Sequence, residues 1–281
     1  MKSYRITGKL IDAFRLHLIE QERSPGTIQN YLRALERFHH ALQTSALATK
    51  QDVIRFKEQL ISQHSPSTVN VSLAALNSFF RFAGYEELRV KSLKRQRQIF
   101  CSKERELSKA EYLKLLRTAR DAGNQRILLI METICSTGIR VSELQYITAD
   151  AVRRGQVEVR CKGKLRAVFL SGALKKKLLC YLRAKQIHSG PVFITKSGRP
   201  MDRSNIWSEM KALCRRAGVA AQKVFPHNLR HLFARTFYTI EKDLSKLADL
   251  LGHVSVETTR IYIKESGAEH RRRIEQLGLL I

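Results

Sequence analysis

The sequence has few acidic residues, few residues that interrupt regular structure, and few cysteines. Its 281 residues include 25 Asp and Glu against 51 Lys and Arg, with 14 Gly, 5 Pro and 5 Cys. So little Gly and Pro, without any low-complexity tract, predicts an ordered and mainly helical protein. An odd number of cysteines with no Cys-x-x-Cys pair argues against a disulfide framework and predicts reduced thiols in a cytosol.

Long apolar runs are also missing. The most apolar stretch, residues 127–135, is short and contains Glu132, whereas a membrane-spanning helix needs about 20 apolar residues. The residues from Met1 to Tyr4 do not begin the apolar segment of a signal peptide. We therefore expect a cytoplasmic protein that is not inserted in a membrane.

The shortage of acidic residues leaves a net charge of +26 at pH 7. This excess is too large for an ordinary solvated surface and indicates a polyanionic partner. Nucleic acid is the first candidate, because Lys and Arg neutralise the phosphates of its backbone. An anionic membrane surface is the alternative that the charge alone leaves open.

Residues 1–90 contain four stretches in which apolar residues recur at helical spacing. The four sets are Leu10, Phe14 and Leu18; Ile28, Tyr31, Leu32, Leu35, Phe38 and Leu42; Val53, Phe56 and Leu60; and Val69, Leu73, Leu76 and Phe80. We predict a helical domain in which these stripes form the core. Its polar faces carry Arg and Lys, and we expect those faces to be the functional part.

Basic residues become denser where this first domain ends. Residues 91–106 are predicted to be a linker, with no acidic residue before Glu104. Between two basic domains, such a run is also where the chain would cross a phosphate backbone. The candidate DNA-binding residues are Arg89, Lys91, Lys94, Arg95 and Arg97.

A second domain is predicted for residues 107–281. Ser108 and Glu111 have the spacing of a capping box at its first helix. The apolar residues at 127–134 predict a buried helix, and Gly138 is placed to end it.

The same domain contains one predicted β-hairpin. Residues alternate in polarity over 157–161 and return as a strand over 165–170, so Lys162 and Lys164 lie in an exposed turn. Further predicted elements are helices at 173–186 and 203–217, a short strand at 192–194, and a helical region from 227 onward.

The chemistry concentrates after residue 226. Cleaving a phosphodiester without a metal requires cations on the phosphate oxygens, a nucleophile, and an acid for the leaving oxygen. His227 and Arg230 are three residues apart and share one face of a helix. His227 and His231 also have a helical zinc spacing, but Asn228 stands where a metalloprotease has Glu, so zinc is the weaker interpretation.

Taken in order, five features of the second domain closely resemble the tyrosine recombinase (phage integrase) family. They are the segment TGIRVSEL at 137–144, the lysine hairpin at 162–164, HNLRH at 227–231, LLGH at 250–253, and Tyr262. Each is weak evidence alone, whereas the joint pattern is specific. The helical first domain resembles the core-binding domain of that family, and the layout resembles its Xer-like branch.

The resemblance implies a role for each matching residue. Tyr262 would attack the scissile phosphate and form a 3′-phosphotyrosyl link. Arg140 and Arg230 would grip that phosphate. Lys162 would protonate the departing 5′-oxygen, with Lys164 as the rival because the turn is short.

The remaining roles are supporting ones. His227 would handle the proton of the nucleophile, His253 would hydrogen-bond the phosphate, and Glu143 would support the site without reacting. The resemblance implies no metal and no other cofactor. It also implies no ATP, because the phosphotyrosine link conserves the bond energy.

The resemblance also implies an architecture and partners. The fold would be mainly α with a small β-hairpin, and the two domains would form a C-shaped clamp on double-stranded DNA. Four copies would exchange strands at two synapsed sites through a Holliday junction, as a homotetramer or with a second recombinase. The apolar tail, with Leu277, Leu279, Leu280 and Ile281, could fold onto its own core, whereas the resemblance implies that it docks onto a neighbouring copy, which we favour. The location would be a prokaryotic-type cytoplasm, at the nucleoid.

Other functions agree with part of the pattern. A type IB topoisomerase uses the same chemistry on single duplexes, and a DNA-binding regulator could keep the fold and lose catalysis. A basic membrane-surface or ribosomal protein would explain the charge but not the order of the residues. Within the recombinase interpretation, both integration and excision of a mobile element and Xer-type resolution agree with the sequence.

Overall fold

A computed structural model of the chain describes residues 2–42, 46–94, 105–161, 164–253, 255–260, 262 and 276. Contacts divide the chain into two units, Met1–Arg97 and Gln98–Ile281. Helices dominate both units, and the strands form small antiparallel pairs. This confirms the mainly α fold with a β-hairpin that the sequence predicts.

The described part of the first unit contains four α-helices, as the four apolar stripes predict. They are α1 (Gly8–Glu20), α2 (Pro25–Ala41), α3 (Lys50–Gln63) and α4 (Pro66–Phe82). Each begins after a Ser or Thr whose side chain accepts a hydrogen bond from the first turn. Their stripes meet in one core around Phe14 and Phe56. Two short strands that were not predicted, β1 (Tyr4–Arg5) and β2 (Leu47–Ala48), pair antiparallel.

After α4 ends, the following backbone runs back along that helix and is hydrogen-bonded to its side chains. Asn77 Nδ2 donates to the Val90 carbonyl at 2.8 Å, and Asn77 Oδ1 accepts from the Val90 amide at 3.0 Å. Asn70, two turns earlier on α4, makes the same pair of bonds with Leu93, at 3.0 and 2.8 Å. Two asparagine side chains therefore hold the backbone as a neighbouring strand would. The first residues of the predicted linker follow the surface of the helical bundle.

The second unit begins with a capped helix and a buried one. The Ser108 amide donates to Glu111 Oε2 at 2.8 Å, which confirms the capping box at α5 (Lys109–Asp121). The next helix, α6 (Gln125–Thr137), is the predicted buried helix. Its fully buried side chains include Ile127, Ile130, Met131 and Ile134.

The predicted hairpin follows α7 (Ala149–Arg154). Strands β3 (Gln156–Cys161) and β4 (Lys164–Phe169) pair antiparallel with Cys161 opposite Lys164. The sequence predicts Lys164 in the turn, but its backbone already belongs to β4; residues 162–163 lie outside the described residues.

Two further helices agree with the sequence, and one predicted strand does not. The helices are α8 (Gly172–Ala184) and α9 (Arg203–Ala217). Residues 192–194 do not form a strand; in the described part of this region, isolated bridges pair Thr148 with Pro191 and Ile194 with Pro200. At each bridge the flanking amides are hydrogen-bonded, Val192 to the Ile147 carbonyl and Met201 to the Phe193 carbonyl, both at 2.9 Å, but the pairing does not continue into a ladder.

The chain then forms the helices that carry the chemistry. They are α10 (Pro226–Glu241), α11 (Leu244–Leu251) and α12 (Val256–Arg260). Helix α10 packs along α6, and Gly252 ends α11 as predicted.

Candidate active site

Two glycines bring the ends of α6 and α11 close to α10. Gly138 and Gly252 are the C-terminal caps of these helices, in the left-handed conformation with φ of 65° and 63°. A Cβ atom at Gly138 would lie 2.5 Å from Phe233 Cδ1 and 2.9 Å from Leu251 Cδ2. Glycine is required there, and backbone carbonyls at the ends of two helices can face one side chain of α10.

That side chain is Arg230, which is 2% exposed. Its Nη1 donates to the Gly138 carbonyl at 2.5 Å, and its Nη2 donates to the Leu251 carbonyl at 2.8 Å. Burial, followed by the charge of Arg140, lowers the pKa of Arg230 to about 10, although interaction with Tyr262 acts in the other direction. The guanidinium therefore stays charged at neutral pH. Its buried Nε has no partner among the described residues, so the group can accept a further anionic ligand.

His253 lies between Arg230 and α12. Its Nε2 is 2.9 Å from Arg230 Nη2, and its Nδ1 is 2.8 Å from Thr259 Oγ1. Because an arginine can only donate, Nε2 is the acceptor, and the proton of the neutral ring is on Nδ1. Burial, then the charges of Arg230 and Arg140, lowers the pKa of His253 to about 4.

Tyr262 is 7% exposed and is surrounded by histidine rings. Its ring centroid is 4.2 Å from that of His231, 5.3 Å from that of His253 and 5.5 Å from that of His227. The structure therefore brings the predicted nucleophile together with both predicted histidines.

Arg140 and Glu143 form the other side of the site. Arg140 Nη1 donates to Glu143 Oε1 at 2.8 Å, and the Arg140 amide donates to Glu143 Oε2 at 2.9 Å. Burial alone would raise the pKa of Glu143, but the hydrogen bonds from Arg140 and the charge of Arg166 lower it, so this carboxylate is ionised. Arg140 Nη2 also donates to the Gly252 carbonyl at 3.3 Å.

Arg166 joins the same cluster from β4, although it is not among the site residues predicted from the sequence. Its Nη2 donates to Glu143 Oε2 at 2.5 Å, and its Nη1 donates to the Leu250 carbonyl at 2.5 Å. A signal was present, because residues two apart on a strand share one side of it. Arg166 therefore points to the side of Val168 and Leu170, which are buried.

His227 is in the first turn of α10, beside the ring of His231 at a centroid distance of 4.7 Å. Desolvation, then the charges of Arg230 and Arg203, lowers the pKa of His227. The ring is therefore neutral at pH 7 and able to accept a proton. The described residues include no group of three His, Cys, Asp or Glu that could hold a metal ion.

Several predicted residues cannot be placed in this site. Lys162 lies outside the described residues, and so do Arg95 and Arg97 of the linker. The backbone of Lys164 belongs to β4, but its side chain is not described. The tail at 277–281 is also outside the described residues.

The other three basic residues of the predicted linker set lie in the first unit. Arg89 pairs with Glu86, and the Lys91 and Lys94 side chains are exposed. These two lysines are therefore available to a phosphate backbone.

The buried histidines predict how stability depends on pH. Burial, followed by the charge of His227, lowers the pKa of His231 to about 3, below the value of about 4 for His253. In the unfolded chain both rings protonate near pH 6.5. Between pH 6.5 and 4 the unfolded chain therefore binds more protons, and we expect the free energy of unfolding to fall as the pH is lowered through this range.

Denaturant unfolding at pH 7, 6, 5 and 4.5 measures this slope. We expect His253→Gln to have a shallower slope, because Gln keeps a hydrogen-bonding group but does not titrate. Equal slopes for the variant and the wild type would show that His253 does not carry this effect.

Two family models match the chain. The model described as the phage integrase family matches residues 105–269, and the phage integrase N-terminal SAM-like domain matches residues 11–87.

Among the described residues, no helix has both the length and the apolar character that crossing a bilayer requires.

Similar proteins cover nearly the whole chain. The tyrosine recombinase XerA of Thermococcus kodakarensis is 30% identical, over 98% of this chain and 96% of that protein. The XerA of Pyrococcus furiosus is 27% identical, over 100% and 98%. Among solved structures, a lambda integrase tetramer bound to a Holliday junction has a TM-score of 0.71 and 19% identity, over 92% of this chain and 77% of that one. This last similarity concerns the fold.

Proposed function

Because this chain belongs to the phage integrase family of site-specific tyrosine recombinases, we propose that it cuts and rejoins DNA strands through a 3′-phosphotyrosyl link to Tyr262. The observation that carries the proposal is the buried Arg230 guanidinium, which contacts His253 and interacts with Tyr262. A buried cation with an unsatisfied N–H beside a phenol is suited to a phosphate whose ester is attacked by that phenol.

Cleavage exchanges one phosphate ester bond for another. Tyr262 Oη forms a bond to phosphorus while the bond from phosphorus to the 5′-oxygen breaks. His227, which is neutral at pH 7, takes the phenol proton. Lys162, or Lys164 as its rival, gives a proton to the departing 5′-oxygen. Attack by the 5′-hydroxyl of another strand reverses these changes, and two such rounds pass through a Holliday junction. The step requires no ATP, since the phosphodiester energy stays in the link to the protein.

The arginines contact backbone carbonyls that a phosphate can replace. The Gly138, Leu251 and Gly252 carbonyls accept from Arg230 and Arg140, and they lie at helix C-termini. Such an end carries only about half a negative charge. A phosphate carries a full charge and is a stronger partner for a planar guanidinium. We therefore propose that both arginines turn from these carbonyls to the phosphate oxygens when DNA binds.

His253 must also change partners in that state. Its Nε2 now accepts from Arg230, and donation to a phosphate requires a proton on Nε2. We propose that this proton is gained when Arg230 moves to the phosphate, because the arginine charge then no longer opposes it.

Covalent trapping tests the proposed function. The protein is incubated with duplexes that carry a nick close to the cleavage site. After cleavage, the short fragment with the free 5′-hydroxyl diffuses away, so the covalent adduct cannot be reversed and is measured under denaturing conditions. A type IB topoisomerase would form adducts without preference for a site, and a silent regulator would form none. Adduct on one site only supports the recombinase; no adduct on any duplex contradicts it.

A groove of the first unit is proposed to read the DNA. It runs between α2 and α4 and is lined by Asn30, Arg33, Glu36, Arg37, His40, Ser67, Thr68, Val71 and Ser72. The groove combines cations, for phosphates and guanines, with amide and hydroxyl groups for base edges. These residues belong to the basic polar faces that the sequence predicts to be the functional part of the first domain.

We expect Arg33→Ala to weaken binding to the recombination site by about 10-fold, the usual cost of losing one base contact. Lys9→Ala is the matched control, because it removes one exposed positive charge from α1, outside the groove. Fluorescence anisotropy at several salt concentrations measures both affinities. Equal losses for the two variants would contradict a reading role for the groove.

The finer points of assembly and location are also proposals. We propose a tetramer on two synapsed DNA sites, by analogy with the lambda integrase tetramer. It would consist of this chain alone or of this chain with a second recombinase.

The free thiols of Cys135, Cys180 and Cys214 support a cytoplasmic location. The function in the cell is integration and excision of a mobile element or Xer-type resolution.

A further inference from the structure

We propose that Arg166 is a positioning residue of the active site, which fixes Glu143 and thereby aims the Arg140 guanidinium at the scissile phosphate. This inference rests on the function proposed above. The observation behind it is that the Glu143 carboxylate is shared by two arginines from different elements. Arg166 is on β4, and Arg140 is in the turn after α6.

The Glu143 carboxylate is held by three donors. Oε1 accepts from Arg140 Nη1, and Oε2 accepts from both the Arg140 amide and Arg166 Nη2. The Glu143 side chain is 4% exposed, so water cannot replace a lost donor. Without Arg166, both carboxylate oxygens are held by Arg140 alone, and the carboxylate loses the one donor that fixes it independently of Arg140.

Arg166 has a second anchor at the end of α11. Its Nη1 donates to the Leu250 carbonyl. A Cβ atom at Gly252 would lie 2.6 Å from Arg166 Cδ, so the arginine stem fills the space that this glycine leaves open. The adjacent residue is His253, and the Gly252 carbonyl accepts from Arg140. Arg166 therefore fixes the backbone on which the neighbouring phosphate ligands are placed.

The two arginines differ in their freedom to move. The Arg166 side chain is 13% exposed, and both of its Nη atoms make bonds of 2.5 Å. The Arg140 side chain is 34% exposed, and its Nη2 bond to the Gly252 carbonyl is 3.3 Å. Arg140 is thus placed to reach a ligand from solvent, whereas Arg166 acts through its neighbours.

The test compares Arg166→Gln with a matched control, Arg126→Gln. Arg126 has the same pattern of contacts outside the site: Nη2 donates to Glu209 and Nη1 donates to the Ile194 carbonyl. We expect both variants to bind DNA within about 3-fold of the wild type. For Arg166→Gln alone, single-turnover cleavage at saturating protein should fall about 10²-fold, the effect of a misplacement of about 1 Å.

A methylphosphonate at the scissile position separates positioning from a general loss of structure. This linkage has no negative charge, so the aim of Arg140 matters little for its cleavage. We expect wild type and Arg166→Gln to cleave it at rates within about 3-fold of each other. Arg166→Lys, which keeps the charge but not the two-pronged geometry, should recover only part of the loss on ordinary DNA.

Two results would overturn the inference. One is an equal loss on the charged and the uncharged linkage, in Arg166→Gln or, if that variant does not fold, in Arg166→Lys. The other is a loss in Arg126→Gln as large as that in Arg166→Gln. Both presuppose adduct formation by the wild type; its absence on every DNA would refute the recombinase function itself and is distinguishable from either result.

Discussion

Tyr262→Phe is expected to form no covalent adduct with DNA, while the folded protein and its affinity for DNA change little. The substitution removes the Oη atom that would bond to phosphorus and leaves the ring in place. That ring is packed against His231, His253 and His227. Because the apolar contacts are kept, we expect the free energy of unfolding to change by no more than about 1 kcal/mol.

The measurement is adduct formation on nicked duplexes, resolved on a denaturing gel, beside binding and thermal unfolding. Tyr238→Phe is the matched control, because Tyr238 packs against the same small core and also carries a phenol. It should form the adduct at the wild-type rate. An adduct that persists in Tyr262→Phe would show that another residue is the nucleophile.

Much of the fold could be predicted because its signals are local. The capping pair Ser108 and Glu111 marks the start of α5 by itself, since both partners lie within one turn. The failed strand at 192–194 has a local apolar signal as well, but strands require a partner elsewhere. Pairing in the described part of this region is limited to isolated bridges, of Thr148 with Pro191 and of Ile194 with Pro200, so no strand ladder forms.

The site was predicted less completely, and the missed residues share a cause. Arg166, His231 and Thr259 act by contacts with residues far away in the sequence or on another element. Thr259 is the hydrogen-bond partner of His253 Nδ1, and no spacing rule reveals this contact. Of these three residues, only Arg166 could have been identified from the sequence, because a charged side chain on the buried side of a strand must be paired. The prediction for that strand extends only to its place as the return arm of the lysine hairpin.

The electrostatics explain how three arginines can share one small volume before DNA binds. Arg140 and Arg166 share the Glu143 carboxylate, and Arg230 lies close enough to both for their charges to lower its pKa. The remaining acceptors are carbonyls at the ends of α6 and α11, whose partial charges stabilise the cations without neutralising them. The cluster therefore keeps a net positive charge, and this is the property that a site for a phosphodiester needs.

The second large effect is expected for Arg230. Arg230→Ala should lower the rate of adduct formation by roughly 10³-fold, since it removes a buried donor to the transition-state charge. It should also lower stability, because the Gly138 and Leu251 carbonyls and His253 Nε2 lose their donor. Arg216→Ala, at an exposed position on α9, is the control and should change neither property.

Arg230→Lys separates charge from geometry. A lysine restores one positive charge, but a single ammonium cannot hold two carbonyls and His253 in the planar arrangement of a guanidinium. We therefore expect Lys to recover part of the stability and little of the cleavage rate. The pKa of His253 gives an independent check: it is low partly because of Arg230, so it should rise toward 6.5 in Arg230→Ala and stay low in Arg230→Lys when followed by NMR titration. A His253 pKa that does not rise in Arg230→Ala would mean that burial and the charges of the other arginines keep this ring neutral without Arg230. The coupling between Arg230 and His253 would then have to be abandoned.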